Sequence, residues 1–405
     1  MNEQKTYRLM KSRIFVLLLT AGIFAVVGFS MFLTTVSWYA ISEIGSPSAV
    51  GIILMTATIP RLLTMVFGGI VADKYKKTTI MFITNFIQAI LLLLLFILVA
   101  QNQLEFYMLL IIAGLFGVLD AFFGPTSSSL IPKIVPKEYL QKATAIFQGA
   151  DQISFVIGPI LAGLMMEFFS IAGSFFVAMI LVFISAVLVF PPFIREEAVE
   201  ERVKQSPWKD LKEGVLYVRR SNFLLVGIFV LIILNFFVFG ALHIAVPLLV
   251  DIYDGSPLNL SFMEASLGTG MLLGSFLLSI YTIKTRRGAT TIYGLLAALL
   301  LFVVFSLTGH FGWLTFLIFF IGFSMVFVYV PFFTVAQEQT DNRIMGRVMS
   351  LIFLAMNGFD PISYGIVTGL VSVGIPVQSV LLSFGLIGLC ITFFILFRAK
   401  SFKAV

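Results

Sequence analysis

The chain has 405 residues, of which 60% come from the apolar and aromatic set and only 11% are charged. A soluble domain holds about 45–50% apolar and about 25% charged residues. The composition therefore excludes a soluble enzyme, a disordered protein and a fibre, and leaves a polytopic membrane protein. The formal net charge of +6 has a topological explanation and does not point to nucleic acid.

Apolar runs long enough to span a bilayer lie at 14–41, 48–72, 79–100, 106–124, 143–166, 170–194, 223–250, 262–283, 289–308, 312–336, 347–373 and 377–397. A transmembrane helix needs about 20 such residues. Barrel strands would be about 9–11 residues of alternating polarity, and these runs do not alternate. Twelve α-helices are predicted, each satisfying its own backbone in lipid. The first run is too long for a signal-peptide core of about 7–15 residues and reads as a permanent span.

Orientation follows from the basic residues. With the N-terminus inside, every Lys and Arg except Arg61 falls on an inside segment, while the outside loops carry Glu43, Glu105, Glu167, Asp251 and Asp254. This predicts a multi-pass protein of the cell membrane with both termini cytoplasmic. The long basic segment 195–221 divides the chain into an N-terminal six-helix bundle, 1–194, and a C-terminal one, 222–405. Within the segment, Trp208, Leu211, Val215 and Val218 recur at spacings of 3, 4 and 3. That pattern predicts an amphipathic helix lying on the inner membrane surface. The halves also echo one another. Gln141-Lys142-Ala143 leads into a span holding Gly158 and Gly163, and Gly346-Arg347-Val348 leads into one holding Gly365 and Gly369. Two related bundles with a site between them form a transporter architecture.

The single cysteine, Cys390, permits no intrachain disulfide, and His243 and His310 lie far apart. No metal or cofactor is expected. Neither a nucleotide-binding loop nor a catalytic triad pattern is visible, so the chain is not read as an enzyme. Charges inside spans carry the functional argument, because each costs at least about 2.5–3.5 kcal/mol on insertion scales. There are four: Arg61, Asp120, Asp151 and Asp360. A carboxylate in a low-dielectric cavity can load and release a proton near neutral pH. Asp151 is the first candidate carrier, since it precedes a Gly-Pro element by about two turns, and Asp120 is the second. The competing reading is that Arg61 neutralises one of them. Asn235 and Thr34 are cavity candidates, but both also suit helix–helix hydrogen bonding, as do Ser30 and Thr35. Glu338 reads as a solvated loop carboxylate and His243 as an interfacial histidine.

The segment Gly69-Ile70-Val71-Ala72-Asp73-Lys74-Tyr75-Lys76-Lys77 resembles the cytoplasmic motif of the major facilitator superfamily, with Lys76 in place of that family's second glycine. The resemblance implies that Gly69, Asp73, Lys74 and Lys77 form a conformational latch. Gly158-Pro159-Ile160-Leu161-Ala162-Gly163 resembles the Gly-Pro signature of the family's antiporters, with Gly158, Pro159 and Gly163 forming a bent element packed against the opposite half. Phe122-Phe123-Gly124-Pro125 with Leu130-Ile131-Pro132, and Gly346-Arg347-Val348-Met349-Ser350, resemble the macrolide-efflux and siderophore-exporter branch. The resemblance implies two rocking bundles, with spans one, four, seven and ten lining the cavity. It further implies proton-coupled efflux of a small amphipathic molecule by a monomer. Since spans two and eleven meet in that fold, an Arg61–Asp360 ion pair between the halves is expected. A lipid or lysolipid translocator and a proton-coupled importer are the alternatives within transport. A non-transporting receptor or scaffold is the rival from another class.

Reporter fusions test the topology. A fusion within 195–221 is expected to report the cytoplasm and one after Asp254 the exterior; the reverse result overturns the orientation.

Overall fold

Hydrocarbon offers no partner for an exposed peptide group, so each long apolar run closes its own hydrogen bonds as a helix. The computed structural model describes residues 9–136, 139–194, 207–281, 283–341 and 344–404. Among them, 12 helices are long and apolar enough to cross a membrane. The first six spans are α1 (Arg13–Ser42), α2 (Pro47–Lys74), α3 (Lys77–Ala100), α4 (Phe106–Ile134), α5 (Leu140–Phe168) and α6 (Ile171–Leu188). After the short α7 (Pro207–Arg220), the seventh span is α8 (Asn222–Leu234) and α9 (Gly240–Ile252), joined by a π-turn at Asn235–Phe239. Then follow α10 (Pro257–Ile280), α11 (Arg287–Ser306) and α12 (Phe311–Gln339). The eleventh span is split into α13 (Met345–Asn357) and α14 (Asp360–Ser372), and α15 (Val377–Arg398) is the last.

Two of these spans differ from the single helices expected over 223–250 and 347–373. Pro361 is in the first turn of α14. It has no N–H to give the preceding turn, and it disfavours helical geometry in the residue before it. The helix therefore stops at Gly358 and restarts at Asp360. In the seventh span the Gly240 N–H bonds the Asn235 carbonyl, one residue further back than in an α-helix.

The contacts define two compact units. The first holds residues up to Val36 together with Thr56–Arg202; the second holds Ser37–Met55 together with Val203–Val405. The second unit thus includes the end of α1, the turn after it and the first part of α2, as well as α7. Within the first unit, Phe15, Phe32, Phe116 and Phe175 are fully buried, and Phe32 stacks on Phe116 with centroids 4.2 Å apart. Polar stitches cross this core. The Asn85 amide donates to Ser185 at 2.8 Å, and Ser185 donates to the Ala21 carbonyl at 2.7 Å, tying α3, α6 and α1. Thr35 and Ser174 share a 2.6 Å hydrogen bond. Span hydroxyls thus act as helix–helix bonds where water is absent.

In the second unit α10 and α12 pack backbone to backbone. A Cβ on Gly322 would lie 2.2 Å from the Leu267 carbonyl oxygen, and one on Gly270 would lie 2.0 Å from that of Phe319. Of the expected stripe on the linker helix, Val218 is buried and Val215 is 38% exposed, while the Trp208 and Leu211 side chains lie outside the described residues; Gly214 is buried as well. Gly214 faces Leu351 and Arg347 of α13, Glu213 pairs with Arg347, and the Tyr217 hydroxyl donates to the Gln339 carbonyl at 3.0 Å. Glycine at 214 lets α7 approach α13 closely enough for the charged residues beside it to pair.

Gly322→Val is expected to lower stability by about 1–3 kcal/mol through overpacking. It should reduce the thermal unfolding midpoint in detergent, whereas Gly369→Ala, with nothing within 4 Å of a built Cβ, should leave it unchanged.

Candidate functional site

The intramembrane charges of the first unit are positioned by small residues. Gly114 and Gly117 on α4 face Thr56 and Ala57 on α2, and a Cβ on Gly117 would lie only 1.9 Å from the Ala57 carbonyl oxygen. One turn further along each helix, this close crossing sets Arg61 beside Asp120. The Arg61 Nε donates to the Asp120 carboxylate at 2.8 Å. The guanidinium carbon also lies 5.1 Å from the centroid of Phe29, which stacks on Phe116. Arg61 is thereby held by a carboxylate and an aromatic face at once, the two partners a planar guanidinium accommodates best. The Asp120 side chain is 17% exposed and that of Arg61 41%.

The guanidinium is engaged by the acid on α4 of its own unit, the competing reading of the sequence, while Asp360 belongs to the second unit. Asp120 is correspondingly one half of a charge pair. Asp151 differs. It is half-buried on α5 and, among the described residues, forms no ion pair.

The Gly-Pro element lies on α5, where Gly158 and Pro159 are buried. A Cβ on Gly158 would fall 2.5 Å from the Ser30 Cβ and 3.0 Å from the Val27 carbonyl oxygen. This close approach is made to α1 of the same unit. Gly163 is buried on the same helix. Thr34 is also buried, at 2% exposure.

Asn235 is committed to protein partners. Its amide donates to the Leu231 carbonyl at 2.9 Å, and its carbonyl oxygen accepts from the Tyr329 hydroxyl at 3.0 Å. Of its two expected roles, helix–helix bonding is the one seen. Glu338, expected to be solvated, is 57% exposed and accepts from Arg287 at 2.5 Å. The Gly69, Asp73 and Lys74 side chains lie outside the described residues. Lys77 opens α3 and is buried. Sequence reading passed over Phe29 and Tyr329. A visible signal for the first cluster was Gly114, Gly117 and Asp120 at steps of three on one face of α4.

The match to a family decides what kind of protein carries this arrangement. The family model of the Major Facilitator Superfamily matches residues 18–359. The chain belongs to the Major Facilitator Superfamily. It is a multi-pass membrane transporter and not an enzyme. Relatives include macrolide efflux protein A of Enterococcus faecalis, 25% identical over 71% of this chain and 90% of that protein. Enterobactin exporter EntS of Escherichia coli O1:K1 / APEC is 25% identical over 80% of this chain and 77% of its own. Among solved structures, the peptide-transporter-family protein PepTSo superposes with a TM-score of 0.76 at 11% identity, covering 97% of this chain and 98% of the other. The nucleoside transporter NupG gives 0.73 at 15%, covering 96% and 99%. These two likenesses show the superfamily fold.

Removing one member of the Arg61–Asp120 pair leaves a charge short of partners in a poorly solvated place. Arg61→Leu is expected to cost about 1–3 kcal/mol of stability, and Arg61→Leu with Asp120→Asn to recover most of it. Equal melting midpoints for the single and double variants would contradict the coupling.

Proposed function

We propose that this superfamily member is a proton-coupled exporter of bulky, partly apolar molecules from the cell, with Asp151 as the proton carrier. The observation that supports the reading is the contrast between two carboxylates on neighbouring spans. Asp120 is held by a permanent cation. Asp151 is half-buried and has no ion pair among the described residues, so nothing but the passing proton and the cavity balances it. An acid inside a span that is not neutralised by structure is a functional group by default. Efflux as the direction draws on the macrolide and enterobactin exporters among the relatives.

In the proposed cycle Asp151 takes a proton when its cavity faces the exterior and yields it to the cytoplasmic side. Substrate leaves the opposite way. Asp120 is bonded to Arg61, so the pair positions α2 against α4 and is given no part in carrying the proton. Gly158 lets α5 ride close on α1, which couples movement of the carrier helix to the first span. The plasma membrane, with both termini inside, is the proposed location. Protons and one small amphipathic molecule are the proposed partners, and a monomer is the proposed working form.

The test is transport in liposomes carrying an imposed pH gradient, with a macrolide and enterobactin as probe substrates. Wild-type protein is expected to dissipate the gradient when a probe is added. Asp151→Asn should reduce proton-driven transport to the level of protein-free vesicles while probe binding persists. Uphill transport unimpaired in both Asp151→Asn and Asp120→Asn would overturn the assignment.

A further inference from the structure

The proposed cycle gives the basic residues of the second unit no part, yet the fold gathers many of them at one corner. A short helix, α16 (Lys400–Ala404), follows the last span. It is pinned by a buried aromatic. Phe402 is fully buried and stacks on Phe223 of α8 with centroids 4.8 Å apart, and Phe223 stacks in turn on Phe332 of α12 at 5.7 Å. The Asn222 amide, at the start of α8, donates to the Ser401 hydroxyl at 2.7 Å. A Cβ on Gly288 would lie 1.8 Å from the Phe402 carbonyl oxygen, so the first turn of α11 also lies against α16. Arg286 caps that turn at a φ of 55°, a left-handed bend that side chains rarely adopt.

These contacts join three basic segments. Arg219 and Arg220 close α7 just before Asn222. Lys284 and Arg286 come just ahead of Gly288, and Lys400 and Lys403 lie on α16 itself. All but Lys403 are exposed, and among the described residues none of the six has a carboxylate partner. Two acids at this end of the unit are already engaged, Glu338 by Arg287 and Glu213 by Arg347. Asp341 is a further acid there, so positive charge remains in excess. Beside the cations, the span ends present rings. Tyr281, just after α10, and Phe394 and Phe397, in the last turns of α15, are all strongly exposed. The Arg398 guanidinium carbon lies 5.5 Å from the centroid of Phe394. Cations next to exposed rings where spans end suit a molecule that is charged at one end and apolar along the rest. A free nucleotide or a nucleic acid would use the charges and leave the rings idle.

We propose that this corner of the second unit binds the headgroup of an anionic phospholipid, taken from the leaflet that these helix ends meet. Its phosphate oxygens accept from the lysines and arginines, the guanidinium groups offering paired donors. Its acyl chains run along the exposed rings at the end of α15. Positive charge that only fixes topology has to lie on the correct side of the membrane; it needs no contact between one basic segment and another. Here a buried phenylalanine, a closely packed glycine and a hydrogen bond bring separate segments together. A headgroup site requires that assembly and topology does not. Phe402 is buried away from any headgroup, so it acts as a positioning residue that holds Lys400 and Lys403 beside the ends of α7 and α11.

The test uses no gradient and no transported molecule, so its failure leaves the efflux reading untouched. Purified full-length transporter in detergent is titrated with dioleoylphosphatidylglycerol or dioleoylphosphatidylcholine, with and without inorganic phosphate, and retained lipid is counted by native mass spectrometry. Phosphatidylglycerol is expected to be held about tenfold more tightly than phosphatidylcholine, and phosphate is not expected to displace it. Lys400→Gln with Lys403→Gln should weaken phosphatidylglycerol binding about tenfold. Phe402→Ala should weaken it comparably although every cation is still present. Lys11→Gln with Lys142→Gln removes the same charge from exposed positions of the first unit, on segments that the sequence assigns to the same side, and should leave binding unchanged. Equal retention of the two lipids overturns the proposal. So does an equal loss in the two lysine pairs, which would reduce the corner to diffuse charge, or unchanged binding in Phe402→Ala. Displacement by inorganic phosphate overturns the lipid in favour of a soluble anion. If Phe402→Ala does not fold, the two lysine pairs decide the question by themselves.

Discussion

Every charge placed among the spans has to be answered locally, because the bilayer core supplies neither water nor counter-ion. The structure answers Arg61 with Asp120 and the face of Phe29. To do so it needs α2 and α4 closer than ordinary side chains allow, which is what Gly114 and Gly117 permit. The glycines, the ion pair and the aromatic stack form one unit of cause and effect. Interhelical bonds such as Asn85 to Ser185 answer smaller debts of the same kind. What is left over after this accounting includes Asp151, which is why the proposed function assigns it the proton.

Much of the architecture was legible in the sequence. Apolar runs read as spans because lipid enforces helix wherever they occur, and 12 such helices are present among the described residues. The four intramembrane charges were equally visible as exceptions to composition. Arg61 as the neutraliser of one of the two acids was among the readings, and the Arg61–Asp120 pair is seen within the first unit. Which acid it meets depends on a contact between α2 and α4 set by where two glycines fall around the helix. The small-residue period on α4 was present in the sequence but has the same form in any tightly packed span.

The irregular places were harder to see for a related reason. Hydropathy averages over a whole run and is blind to a single displaced hydrogen bond. Asp360-Pro361 does carry a local signal for a helix start, and it lies inside a run apolar enough to pass for one continuous span. The π-turn at Asn235–Phe239 has no comparable signal in residue type. It is stabilised by side chains distant in sequence, Tyr329 and Ser363, whose bonds only the folded unit reveals. The docking of α7 through Gly214 and Glu213 is legible only in part. Its amphipathic period was evident, but which face would be covered was decided by α13.

The guanidinium of Arg61 keeps its proton at any pH a cell encounters, and this bears on energetics beyond packing. A transporter's gearing is the number of protons spent per molecule moved. Each added proton multiplies the attainable concentration ratio about tenfold for every pH unit of driving force. On the proton-coupled reading proposed above, Asp120, fastened to a charge that never titrates, has a structural place outside that count. A lineage that replaced Arg61 with a neutral residue would, in one step, free a further acid and change the machine's gear ratio without altering its cavity.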